Sequence, residues 1–233
     1  MMLDFINRLC ESNKLVTHIF DAELDGVKAR VAVPSEGNEN QEYYLILESE
    51  RMSDNFIDEV LDKYAEELMD KLESLDFVDE SLRKNSTLIL CSESGKVSDR
   101  QLLKFEEDPY CFKKNVITYS KRELIDLKGK LNDEYTNEHL NELLMENSGE
   151  LFESFKVSAS LGADYYYPLL IRIITKLPFV HFLPRVNQLD ALEGYIRSSL
   201  DESDIKLFDF ICDGDLSSES IDKKIALEWS INE

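Results

Sequence analysis

Apolar residues first recur at helical spacing. Leu3, Phe5, Ile6 and Leu9 fall along one side of residues 2–12, which predicts a short amphipathic helix. The period then shortens to two. Val16–Leu24 and Val27–Val33 predict two strands joined at Asp25-Gly26, a dipeptide suited to a tight hairpin because glycine accepts positive φ. A polar loop, Pro34–Asn40, leads to Glu42–Glu48, a third strand apolar enough for the middle of a sheet. Ser53 or Asp54 then caps a long helix carrying Ile57, Val60, Leu61, Tyr64, Leu68, Leu72 and Leu75 on one face and Asp, Glu and Lys on the other. Thr87–Cys91 predicts a fourth strand. Ser98 with Gln101 forms a capping box for a helix that ends at Asp108-Pro109.

That corner, Phe105 to Tyr119, is the most sharply punctuated stretch of the chain. Asp108 can accept from free helical amides and Pro109 suits a first helical position, so a second short helix is expected here. It carries Tyr110 and Phe112, closes on Lys113 and Lys114, and leads into a fifth strand, Val116–Tyr119. Beyond it the strand signals stop. Ser120 and Glu123 form another capping box, opening a helix through about Asp133. Thr136 caps a helix bearing Leu140, Leu143, Leu144, Leu151, Phe152 and Phe155, and Ser158–Asp164 predicts a turn. Tyr165–Phe179 is apolar on nearly every face, a buried helix stopped by Pro178 and too short to span a bilayer. Val186–Leu200 predicts a helix, Ile205–Cys212 fits strand or helix, and Ser217–Trp229 closes the chain as a helix. The fold class is therefore α/β (α+β). A mixed β-sheet with flanking helices occupies 1–119, and a mainly helical region, 120–233, packs against it.

Charge narrows the function classes. Against 26 basic residues stand 48 acidic ones, a formal net charge of -22. Such a surface repels phosphate backbones, and no basic cluster offsets it, so direct nucleic-acid binding is not expected. The acids predict a solvated face or docking onto a basic partner. Cys10, Cys91, Cys111 and Cys212 show no paired spacing, as in a cytoplasmic protein with reduced thiols. No secretory signal opens the chain and no apolar run reaches the ~18 residues of a membrane span.

Motifs for bond chemistry are tested and fail. Ser94-Gly95-Lys96 follows a strand as a phosphate loop would, yet Leu90 stands at the earlier glycine position and Val97 where Ser or Thr should hold magnesium. Asp213-Gly214-Asp215 suggests a calcium loop, but Ser218 replaces the required glycine and Lys224 the bidentate acid. His18, His139 and His181 are isolated, which gives no zinc spacing, and no Gly-x-Ser-x-Gly elbow occurs. The order α-β-β-β-α-β is that of restriction-endonuclease-like folds, whose magnesium chemistry needs one acid and then an acid-x-Lys pair. Asp21 or Asp25 and Glu48 fall near those places, but Glu50 stands where the lysine belongs. Neither a cofactor nor a metal site is expected.

The corner Glu106-Glu107-Asp108-Pro109-Tyr110-Cys111-Phe112-Lys113-Lys114-Asn115-Val116-Ile117-Thr118-Tyr119, with the later Lys176-Leu177-Pro178-Phe179-Val180, resembles the middle components of bacterial ABC three-component systems, the Lamassu-type defence systems among them. The resemblance implies a non-catalytic adaptor in a hetero-oligomer, joining an SMC-like ABC ATPase to a nuclease effector against phage or plasmids. Candidate partner-binding residues are Asp108, Pro109, Tyr110, Phe112 and Lys113 at the corner, with Tyr165 and Tyr166 in the second half. The alternatives are a restriction-endonuclease-like nuclease domain and an acidic inhibitor that mimics DNA, which would need its acids on one continuous face.

Overall fold

The computed structural model describes residues 1–35, 42–146, 150–157 and 165–182, and near the end 196–197, 199–201, 204–205 and 208–209. The chain divides into two compact units, Met1–Leu183 and Pro184–Glu233. All the elements named below belong to the first unit. The turn expected at Ser158–Asp164, the calcium-like Asp213-Gly214-Asp215 and the helix expected at Ser217–Trp229 lie outside the described residues. So does most of Val186–Leu200 and of Ile205–Cys212.

The first unit is a mixed five-stranded sheet between two helical layers, an α/β architecture. The strands are β1 (Leu15–Phe20), β2 (Val27–Pro34), β3 (Tyr43–Ser49), β4 (Ser86–Glu93) and β5 (Lys113–Tyr119), side by side in chain order. The pairs β1-β2 and β2-β3 are antiparallel, while β3-β4 and β4-β5 are parallel. Parallel neighbours require crossovers. The first consists of α2 (Asp54–Glu59), a π-helical turn (Val60–Tyr64) and α3 (Ala65–Glu73), and the second is α4 (Asp99–Glu107).

Alternation along the strands sorts the core into two faces. Leu15, Ala32, Tyr44, Ile46, Ile89, Cys91 and Ile117 point to one side, which α1 (Met2–Ser12), α5 (Lys121–Leu131) and α8 (Tyr166–Lys176) cover. Val31, Leu45, Leu47, Leu88, Leu90 and Val116 point to the other, against α2, α3 and α4. Between α5 and α8 come α6 (Asn137–Leu144) and α7 (Glu150–Val157).

The expected capping residues act largely as proposed. Ser53 accepts the Phe56 amide, Thr136 that of His139, and Ser120 with Glu123 completes a reciprocal box. At Ser98 only half the box forms. Its hydroxyl accepts the Gln101 amide, but its own N–H donates to Asp54, and the Gln101 side chain turns to Asp58.

Four expectations are corrected. The short helix after Pro109 does not form, and β5 begins at Lys113 instead of Val116. Asp108 is held extended (φ -68, ψ 122), as the residue before a proline prefers, and Cys111 adopts φ 61, which no right-handed helix contains. Strand β1 ends at Phe20 and not Leu24, because the Asp21 carboxylate takes the Glu23 amide and Glu23 turns to φ 52. The tight turn survives at the far end, where the Val27 amide bonds to the Leu24 carbonyl and Gly26 has φ 69. The long helix after Ser53 is interrupted by the π turn, and the helix expected from Thr136 to Phe155 is two helices, α6 and α7. Among the described residues no helix is long and apolar enough to cross a membrane.

Candidate functional site

The corner after α4 is built on a buried lysine. Phe112, Lys114 and Val116 alternate inward, so Lys114 enters the core with its side chain fully covered. Burying an ammonium is costly unless each of its protons finds an acceptor. Here the Lys114 ammonium lies 2.6 Å from Asp108 Oδ1 and donates to the carbonyls of Asp108, Tyr110 and Phe112. Asp108 Oδ1 also accepts the Tyr110 amide at 3.2 Å. The loop is thus wrapped around a cation, and its conformation is fixed by the lysine's acceptors rather than by a helix.

A second brace joins the two stretches that carry the family resemblance. Glu106 Oε1 accepts the Val116 amide at 2.8 Å, and both Glu106 oxygens lie 2.7 Å from the Lys176 ammonium. The Asn115 side chain donates through Nδ2 to the Lys176 carbonyl at 2.8 Å. Leu177 is extended ahead of Pro178, which ends α8, and Phe179 packs edge-on against Tyr44 with ring centroids 4.9 Å apart. Residues 106–119 and 176–180, about 60 positions apart in sequence, therefore form one structure.

Against this base the corner presents an open groove of about 890 Å³ between the π turn and α4. Leu61, Leu103 and Tyr110 supply its apolar surface, and Arg100, Lys104 and Glu107 its charged rim. Leu103 is 56% exposed and Tyr110 73%. A large apolar and aromatic surface inside a polar rim is the composition of a protein contact site. Lys104 is drawn away to Asp58 at 2.5 Å, and its hydrogen bond, with one from Gln101, holds the Asp58 carboxyl below its usual value.

The candidate residues divide by exposure. Pro109, Tyr110 and Lys113 are exposed, Asp108 is half-buried beneath them, and the Phe112 ring lies in the core. Tyr165 and Tyr166 sit at the opposite end of α8, about 15 Å along the helix from Lys176. Tyr165 is half-buried under the Arg122 guanidinium, 3.5 Å from its ring centre, and Tyr166 is buried. The corner and the tyrosine pair are thus separate places. Leu103 and Leu61 were not anticipated as groove residues. Leu103 was detectable, since Leu102 and Phe105 take the inward phase of α4 and leave it outside.

Two acids of the nuclease-like reading, Glu48 and Asp21, are engaged in holding the fold. Glu48 accepts the Met2 and Leu3 amides, each at 3.1 Å, at the start of α1, and the Tyr119 hydroxyl at 2.6 Å. Burial first, and the Glu48 contact second, push the Tyr119 hydroxyl pKa well up. Asp21 is occupied with the Glu23 amide. Beside Glu48, at the carboxyl ends of β3, β4 and β5, is a cleft of about 350 Å³ edged by Lys28, Glu50, Lys96 and Lys121. Among the described residues no group of three or more His, Cys, Asp or Glu side chains is placed to hold a metal. His18 stacks on Phe77, His139 faces Glu142 at 3.3 Å, and His181 is exposed with its carbonyl bonded to Asn141. Ser94-Gly95-Lys96 is a surface turn with Gly95 at φ 81, and burial pushes the Cys10 and Cys91 thiols well up.

No curated protein and no solved structure matches the chain. A family model does match, over residues 42–144, from just before β3 to the last residue of α6. The matched stretch contains the corner, the groove and three of the five strands, β3, β4 and β5, with the helices between them. The model is that of the ABC-three component (ABC-3C) system Middle Component 1, and over this segment, a little under half of the chain, the protein is similar to that family.

Proposed function

We propose that the protein is a non-catalytic adaptor that joins an SMC-like ABC ATPase to a nuclease effector in a cytoplasmic, Lamassu-type defence against phage or plasmids. The observation that carries this reading is the exposed Tyr110, held over a groove by the buried Lys114 inside the family-matched segment. A rigid aromatic anchor loses little freedom on binding, which is what makes such a residue an interface hot spot. The excess of acids suits a basic partner surface and speeds encounter with it. Glu48 and Asp21, two of the three acids the nuclease-like pattern points to, are bonded to backbone amides and a tyrosine hydroxyl.

The test is co-purification of the chain with the ATPase and effector components of its system. Tyr110→Ala combined with Leu103→Ala leaves the fold intact and weakens assembly at least about tenfold, the loss of one hot-spot side chain or more. Unchanged assembly removes the groove from the interface. Magnesium-dependent DNA cleavage by the pure chain, abolished in Glu48→Gln, overturns the adaptor reading itself.

A further inference from the structure

The two edges of the sheet are treated differently. At β5 the outer Val116 amide is taken by Glu106, and α4 and α8 pack along the strand. At β1 nothing comparable is found among the described residues. Among the described residues its pairing is to β2 alone, in an unbroken register from Leu15↔Pro34 to Phe20↔Ala29, with no bulge to twist it away. The strand, Leu15-Val16-Thr17-His18-Ile19-Phe20, contains no proline, lysine or carboxylate, the devices that keep an open edge from pairing with other chains. Instead Val16 is 45% exposed and Ile19 84%, and Phe77, stacked on His18 at 4.2 Å, adds a further apolar surface 43% exposed. Six residues are enough for a full strand pairing.

We propose that this edge accepts an extended segment of another subunit of the ABC-3C assembly as a sixth, β1-paired strand. The inference rests on the adaptor reading for the identity of the assembly, and on the unprotected edge for the mode of binding. Backbone hydrogen bonds supply the affinity, and the pattern of the added segment is set by β1: one apolar residue against Ile19 on the α1 side, and others against Val16 and the His18-Phe77 stack on the α3 side. A second copy of the chain is disfavoured as occupant because it would bring two bodies of net charge -22 together. The edge itself carries no such barrier, since no carboxylate occurs between Glu11 and Asp21.

The experiment is hydrogen exchange on the full chain, alone and with the purified ATPase and effector components, combined with mass measurement in solution. With the partner bound, exchange across Leu15–Phe20 slows at least about tenfold. Ile19→Lys, at a position too exposed to unfold the protein, weakens binding by about two- to fivefold, the worth of one cross-strand pair. A complex that forms while β1 exchanges as in the free chain overturns strand addition and leaves the adaptor reading standing. No complex with either component overturns both. Protection of β1 in the isolated chain together with a doubled mass assigns the edge to a second copy and overturns the proposed occupant.

Discussion

The Lys114 ammonium, on a side chain with no exposed surface, is 2.6 Å from the carboxylate of Asp108, which is 23% exposed. The two residues are unequal partners. Removing the acid leaves a buried cation with carbonyls alone, a loss of about 3–5 kcal/mol. Removing the cation leaves a carboxylate that water can still reach and three carbonyls short of a donor, about 1–3 kcal/mol. Asp108→Ala should therefore destabilise the protein more than Lys114→Met, as read from urea midpoints. The reverse order would show that the lysine holds the corner chiefly through the carbonyls.

Glu48 supports a stability prediction where the nuclease-like pattern suggested a catalytic one. Glu48→Ala frees two amides at the start of α1 and leaves the Tyr119 hydroxyl without its acceptor. A lost helix cap costs about 1 kcal/mol and an unpaired part-buried hydroxyl about 1–3 kcal/mol, so the sum is about 2–4 kcal/mol. Tyr119→Phe removes donor and demand together and costs under about 1.5 kcal/mol. Thermal unfolding of both variants measures the difference. A Glu48→Ala protein as stable as the parent would mean that its carboxylate is not the cap of α1.

The sheet was legible because β2, β3 and β4 alternate or run apolar over enough residues for the period to be unambiguous, and α5 because its capping box is complete. The corner was misread for a local reason. Asp-Pro is a good helix opening taken alone, but the rule does not see Lys114, whose acceptors dictate the loop. The missed signal was periodic. Extending the alternation back from Val116 through Lys114 to Phe112 marks the lysine as inward and starts the strand three residues earlier. Glu48 could not be assigned from sequence, since its partners, Met2, Leu3 and Tyr119, are 45 residues or more away. Its position at a strand end suggested chemistry just as readily as support for a helix. The open edge of β1 was hidden for a similar reason: the expected strand ran on through Asp21 and Glu23, and only its observed end at Phe20 and the strand order show an outermost strand without acids.

The far end of α8 yields a pH dependence. Glu146 accepts the Tyr166 hydroxyl at 2.5 Å and lies 3.4 Å from the Lys130 ammonium. The Tyr166 hydrogen bond is the main reason its carboxyl stays below the ordinary 4.5. A group whose folded pKa is lowered adds stability that is complete above its unfolded value and is lost as pH falls through the folded one. Because Glu146 is 38% exposed, solvent screening reduces the worth of the contact to about 0.5–1.5 kcal/mol. Tyr166→Phe, which keeps the buried ring, should therefore be less stable than the parent by that amount at pH 7. The gap should narrow as pH drops below 4.5, where the parent's own carboxyl takes up its proton. Urea unfolding at pH 7 and pH 3 reads both differences. A gap of equal size at the two pH values would assign the loss to packing of the ring and remove Glu146 from the account.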